Sequence, residues 1–399
     1  MKMKCVIWGA GKNFNSVFTA LDFSKVDVCM VVDSDESKQG MEMHGFVVSS
    51  PCEIMGMIFD YIVISTHDYL KIYSSCIKMG IEKEKIIPYC KESEDNKVFK
   101  SRNVLVEELT KEKNKYIYRL DSAPYEWGIS KTPIINDGVQ LMNKIINDGK
   151  SLIRFGDGEF EIIRGNNRPW FQNYSESLGR ALRNALYTKN ESIIVAISQN
   201  YHLDKYTEEA ADGIREYMYG KTRKDILDIL EERVYFDAYV TRPYIIYNDK
   251  EYAESVFALF KLLFNKRDIL LVEGEYSRIG VGNDFLESAN SIRRIVCPSN
   301  NAWERYEEIL ESVIDIARVD DLILCSLGPT ATVLCCQLAN TKYQSIDIGQ
   351  IDNEYEWWMM GTKKRTNISG KMVAEMSIDN QDFFIKDEVY EGQIVKRIN

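Results

Sequence analysis

Histidine is nearly absent from the chain: His44, His67 and His202 are the only three in 399 residues. With so few imidazoles, a general base is expected to be a carboxylate. Zinc-type spacing is missing too. The nine cysteines (Cys5, Cys29, Cys52, Cys76, Cys90, Cys297, Cys325, Cys335 and Cys336) form no Cys-x-x-Cys pair and mostly sit inside apolar runs. An odd, scattered set of this kind argues against a disulfide framework and fits reduced thiols in a cytoplasm. Positive charge is short as well: 50 Lys and Arg face 61 Asp and Glu, a net charge of -11. That speaks against general nucleic-acid binding, which needs a basic surface. No apolar run approaches the ~20 residues of a transmembrane helix. The first residues run directly into a strand, so no signal peptide is expected.

What is present is ordinary globular material, 45% hydrophobic and 28% charged, long enough for two or three domains. Residues 3–9 (MKCVIWG) read as a strand. Gly9-Ala-Gly11-Lys-Asn-Phe14 follows, then a helix to about Phe23 and a strand, Val26 to Val32, ending in Asp33. This is the layout of a dinucleotide fingerprint, except that Phe14 holds the third glycine position. A strand at Tyr61–Ser65, a helix to about Met79 and a strand near Lys85–Ile87 complete a small Rossmann-like domain, residues 1–92. Its role, nucleotide-binding or purely structural and regulatory, stays open. Residues 93–132 are polar and charged and read as a linker containing a helix.

The second domain, 133–399, centres on Ser151-Leu-Ile-Arg-Phe-Gly-Asp-Gly-Glu-Phe160. Its apolar start suits a buried strand, and the pattern turns helical after the glycines. Asp157 and Glu159 therefore fall on a turn at the carboxyl end of a strand, where open α/β sheets bind ligands. Two such acids can share Mg²⁺ or Mn²⁺, whose remaining positions go to phosphate oxygens and water. Arg154 beside them can meet a phosphate. The plain alternative is a turn carrying solvated acids.

Later segments repeat the strand-to-loop switch. Asp268–Val272 ends in Glu273-Gly274 and leads to Arg278, Gly280, Gly282, Asn283 and Asp284. Asp284 is expected to cap a helix over Phe285–Ser291. Leu322–Leu327 ends in Gly328-Pro329-Thr330, an anion-binding helix start. Ser345–Ile348 ends in Gly349-Gln350 and the acidic-aromatic run Asp352–Trp358. Helices are expected over Gly138–Asp148, Glu176–Tyr187, Lys205–Tyr219, Arg223–Glu232 and Glu251–Phe264, a strand over Ser192–Ile197, and a β-prone stretch over Tyr235–Tyr247 around Arg242. A rim gathering a metal dyad, a helix start and arginines suits a nucleoside diphosphate.

RFGDGEF, VEGEYSRIGVGNDF, SIRRIVCPSNNAW, SLGPTATVL and IDIGQIDNEYEWW, in that order, resemble the GT-D-type glycosyltransferases, a bacterial family associated with serine-rich adhesins. The resemblance spans roughly Pro133 to Met376. It implies a single Rossmann-like catalytic domain of GT-D fold with a metal-dependent D-x-E motif (Asp157, Glu159) using Mn²⁺ or Mg²⁺. The N-terminal α/β module lies outside the resemblance, so the expected fold class is α/β with two Rossmann-like domains, the C-terminal one of GT-D fold. The resemblance further implies a UDP-sugar donor, UDP-glucose first, and a saccharide or glycoprotein acceptor. Arg154, Arg278, Asp284, Gly328 and Thr330 carry over as donor-binding positions, with Gly156, Arg242, Gly282, Asn283 and Gln350 completing that set. Gln350 is a departure, because the family often has histidine there. For a base that activates the acceptor hydroxyl, the expected carboxylates are Glu356, Glu354 and Asp352, with Glu273 as runner-up. The run Tyr355–Trp358 suits either a sugar platform or core packing. Competing readings are an NAD-dependent oxidoreductase of sugar nucleotides and a non-catalytic sugar-nucleotide-binding protein. The oligomeric state, homo-oligomer included, is left open.

Overall fold

The computed structural model describes residues 2–89, 97–167, 171–373 and 387–399. Cys90, expected among the reduced thiols, lies outside them. The chain divides into two compact units, Met1–Asn114 and Lys115–Asn399.

The first unit is built on a six-stranded sheet in the order Glu42–Met43, Phe46–Ser49, Val26–Val32, Met3–Trp8, Tyr61–Ile64, Ile86–Pro88. All neighbours are parallel except the first two. The dinucleotide layout is present in outline, but its polar groups are already used. Asp33 is buried; its carboxylate accepts from Ala10 N at 2.6 Å and Asp35 N at 2.8 Å and pairs with Lys38. Phe14 does not strain the helix start; it is buried within the core and stacks on Phe18.

The second unit is a nine-stranded, wholly parallel sheet. In spatial order its strands are Ile394–Arg397, Ser291–Cys297, Asp268–Gly274, Leu322–Ser326, Gln344–Asp347, Ser151–Phe155, Ile193–Ile197, Val234–Asp237 and Ile134–Asn136. Central strands read as continuous apolar runs because helices cover both faces. Each buried aliphatic side chain contributes roughly 1.5–3 kcal/mol. One face is packed by the helices Asp157–Ile163, Glu176–Leu186, Tyr306–Ile316 and Pro329–Ala339. The other is packed by Gly138–Asp148, Lys250–Phe264 and Ile351–Met360. The long helix Arg102–Glu126 runs through the stretch expected to be a linker. Its last turns belong to the second unit, where Arg119 pairs with Asp212, Arg215 with Glu126 and Arg223 with Asp121. Among the described residues, no helix is long and apolar enough to cross a membrane.

Two local expectations fail. Residues 285–288 form turns, not a helix, and Ser291 already opens a strand; Asp284 is held by Lys261 Nζ at 2.7 Å and the Tyr355 hydroxyl at 2.6 Å. The β-prone stretch Tyr235–Tyr247 is strand only to Asp237, because a 3-10 turn at Ala238–Thr241 precedes Pro243. Five strands were not legible at all: Glu42–Met43 and Phe46–Ser49 in the first unit, and Ile134–Asn136, Ser291–Cys297 and Ile394–Arg397 in the second.

Candidate active site

Ser151–Phe155 and Gln344–Asp347 are neighbours in the sheet, yet the helices that follow them leave to opposite faces. Phe160 and Ile162 enter one core, while Ile351, Tyr355 and Trp357 enter the other. Divergence of this kind opens a crevice at the carboxyl ends of adjacent strands. The D-x-E turn and the Gly349–Gln350 turn form its two banks.

Glu159 and Asp157 lie in the first turn of helix Asp157–Ile163, where the helix dipole favours negative charge. Glu159 is half-buried and reaches back to accept from Gly156 N at 2.7 Å. Burial, reinforced by the Asp347 charge and opposed by Arg154, raises its carboxyl to about 7. Asp157 is exposed. Arg154 crosses to the neighbouring strand, donating from Nη2 to Asp347 Oδ1 at 2.7 Å and from Nε to the Asp347 carbonyl at 2.9 Å. Gly349 is a glycine for two reasons: its φ is +48°, and a Cβ there would fall on the Arg154 guanidinium. The site is thus three acids against one arginine. Among the described residues no group of three or more side-chain ligands is assembled for a metal. The D-x-E pair offers the two hard oxygen donors that Mg²⁺ or Mn²⁺ takes when phosphate and water fill the rest.

The other expected residues divide. Arg242 sits on the turn after Val234–Asp237, and its charge bears on both Tyr239 and Glu354. Gly282 has a φ of +79° and open space around it. Asn283 donates to Asp352 at 2.9 Å and to Glu356 at 2.8 Å. Gln350 is half-buried and precedes helix Ile351–Met360. Three donor positions differ from expectation. The start of helix Pro329–Ala339 is covered: Phe171 packs on Gly328, and the fully buried Thr330 directs its hydroxyl to Gln172 at 3.4 Å. Arg278 is buried, with its guanidinium over the Tyr390 ring at 4.9 Å.

The four base candidates also separate. Glu273 is 0% exposed and is consumed by Arg294 and by Ile279 N. Glu354 is 1% exposed and caps the Tyr244 and Ile245 N–H groups, each at 2.9 Å. Asp352 is 2% exposed and accepts from Gly280 N, Asn283 and Lys371. These three are structural carboxylates, a correction to the sequence reading. Glu356 differs, because its Oε1 takes both bonds, from Asn283 and Lys371, and its Oε2 accepts nothing from the described residues. Tyr355 and Trp357 are core, the second held by Nε1 donating to the Thr366 carbonyl at 2.9 Å.

Residues 152–376 match the model of the glycosyltransferase GT-D fold. The chain belongs to the GT-D glycosyltransferase family. Residues 1–87 match a separate model, C2185-like, N-terminal. "Glycosyltransferase GlyD" of Streptococcus pneumoniae is 39% identical over 261 residues, covering 65% of this chain and 32% of the relative. "Probable glycosyl transferase Gly" of Streptococcus gordonii is 37% identical over 261 residues, covering 65% and 38%. The chain therefore spans about a third of the length of the curated relatives it matches. A solved structure described as having "a distinct glycosyltransferase fold" is 33% identical with a TM-score of 0.65, covering 71% of this chain and 100% of that one. Another, described as a new glycosyltransferase from Streptococcus sanguinis, is 34% identical with a TM-score of 0.63, covering 66% and 100%. Within the GT-D domain, sequence reasoning passed over Asp347 and Lys371. Asp347 could have been found as the acid closing the strand before Gly349; Lys371 carries no local signal.

Proposed function

We propose that this chain transfers a hexose, glucose first, from a UDP-sugar to a hydroxyl of a saccharide on a glycoprotein or surface polysaccharide. The catalytic domain is residues 133–399, acting with the helix turns that precede it. Asp157 and Glu159 are the residues that would hold Mn²⁺ or Mg²⁺. When bound, the cation supplies Lewis-acid stabilisation of the departing diphosphate. The observation that carries this reading is Glu159, half-buried beside a second acid, at a helix start in the crevice of a GT-D domain. A cation between these acids would offset the charge that burial makes costly for Glu159.

The chain's own groups do the rest. Arg154, oriented by Asp347, brings positive charge to the crevice, and Arg242, whose charge reaches Tyr239 and Glu354, adds to it. Glu356 takes the proton of the acceptor hydroxyl. Asn283, beside Gly282 in the loop after Asp268–Gly274, donates to Glu356. A screen of UDP-sugars for metal-dependent UDP release tests the reading: one donor should dominate. If no UDP-sugar is turned over while UDP still binds, the chain is a sugar-nucleotide sensor.

A further inference from the structure

We infer that Lys371 is a positioning residue of this site, bridging Asp352 and Glu356 so that Glu356 is fixed as the proton acceptor for the incoming hydroxyl. The inference rests on the transferase reading. Lys371 is 2% exposed, and burying an ammonium costs several kcal/mol unless it is paired and hydrogen-bonded. It is paired twice, to Asp352 Oδ2 at 2.5 Å and Glu356 Oε1 at 2.8 Å. Three separate bonds fix the segment that carries it. Met372 N donates to the Tyr276 carbonyl at 2.8 Å, Asn353 Nδ2 to the Met372 carbonyl at 3.0 Å, and Trp357 Nε1 to the Thr366 carbonyl at 2.9 Å.

Here two carboxylates face one ammonium, and one negative charge is left over. Asp352 cannot use it, because Gly280 N and Asn283 saturate Oδ1 while Lys371 holds Oδ2. The surplus therefore falls to Glu356, whose side chain keeps 14% exposure. The groups facing Glu356 are Asp352, one turn back on its own helix, Lys371 from the returning segment, and neutral Asn283 from the loop after Asp268–Gly274. In the step served, the acceptor oxygen bonds to the anomeric carbon and the hydroxyl proton passes to Glu356. The anomeric C–O bond to the diphosphate breaks, and its electron pair leaves on the phosphate oxygen.

The test uses the full chain with the donor found by the UDP-release screen, an accepted saccharide and saturating Mn²⁺. Lys371→Met should lower kcat about 10²-fold at neutral pH and leave the donor KM within about twofold. Its acid limb should move up by about one pH unit or more, since Glu356 then faces Asp352 without a cation. Lys371→Arg should restore much of the rate and return the limb. An unmoved acid limb in Lys371→Met overturns the inference, as does donor KM rising in step with the loss of rate. If Lys371→Met does not fold, Glu356→Gln decides: a wild-type rate there refutes the inference. Absence of any turnover by the wild-type chain is a different outcome, which removes the transferase reading itself.

Discussion

Arg154 and Asp347 join two neighbouring strands at the floor of the crevice, Nη2 to Oδ1 at 2.7 Å. The pair stands between the D-x-E turn and the Gly349 turn, so one arginine both ties the sheet and balances the acids above it. Asp347 is almost wholly buried, which leaves Arg154 no cheap alternative. Asp347→Ala should therefore destabilise the chain by about 2–3 kcal/mol, less than a fully buried pair because Arg154 keeps some solvent contact. Urea denaturation measures it, and a loss under 0.5 kcal/mol, on the order of an exposed pair, would show the bridge to be ornamental.

Gly349→Ala acts on the same pair from the other side. The left-handed backbone costs alanine on the order of 1 kcal/mol, and the methyl group displaces the guanidinium from its place. Weaker UDP binding with a lowered thermal midpoint is expected. Unchanged UDP affinity by calorimetry would mean that Arg154 has no part in the donor site.

The pH dependence follows from Glu159. Its carboxyl is raised to about 7, first by burial and then by Asp347, while the unfolded chain titrates near the ordinary ~4.3. Between those values the folded state binds more protons than the unfolded one. This group's contribution to stability is therefore present at low pH and falls as pH rises through that window. A cation competes with the same proton, so Mn²⁺ affinity should climb from pH 6 to pH 8 and then level. Calorimetric titration at several pH values checks this, and a flat profile counts against Glu159 as a ligand.

How much of this was legible in the sequence depends on which partners a residue needed. Leu152–Phe155, Ile193–Ile197 and Leu322–Ser326 were readable because apolar continuity alone marks a strand covered on both faces. Ser291–Cys297 was not, because Arg293 and Arg294 interrupt its pattern. Arg294 is buried only by virtue of Glu273, a residue on another strand. The failed helix at Phe285–Ser291 has the same cause: Asp284 is spent on Lys261 and Tyr355, both distant in sequence. The D-x-E turn was legible because its acids, glycines and strand are consecutive. The choice among Glu273, Asp352, Glu354 and Glu356 was not, since it turns on which carboxylates other segments already occupy.

The helix turns before residue 131 illustrate the same dependence. Arg223 is 2% exposed, and Asp121 on helix Arg102–Glu126 meets its Nη1 at 2.9 Å. Asp121→Ala should lower stability by about 3 kcal/mol, because a buried guanidinium loses its counter-charge. Thermal unfolding reads the effect. A shift no larger than that of an exposed-pair control such as Lys131→Ala would mark those turns as a mere linker.

The central claim is that Asp157 and Glu159 hold the cation that receives the diphosphate. Its most direct measurement is UDP binding by calorimetry, with and without Mn²⁺, in the parent chain and in the Asp157→Ala, Glu159→Ala double variant. The account predicts Mn²⁺-dependent binding in the parent and loss of that dependence in a folded variant. Equal, Mn²⁺-independent affinity in both proteins would contradict it.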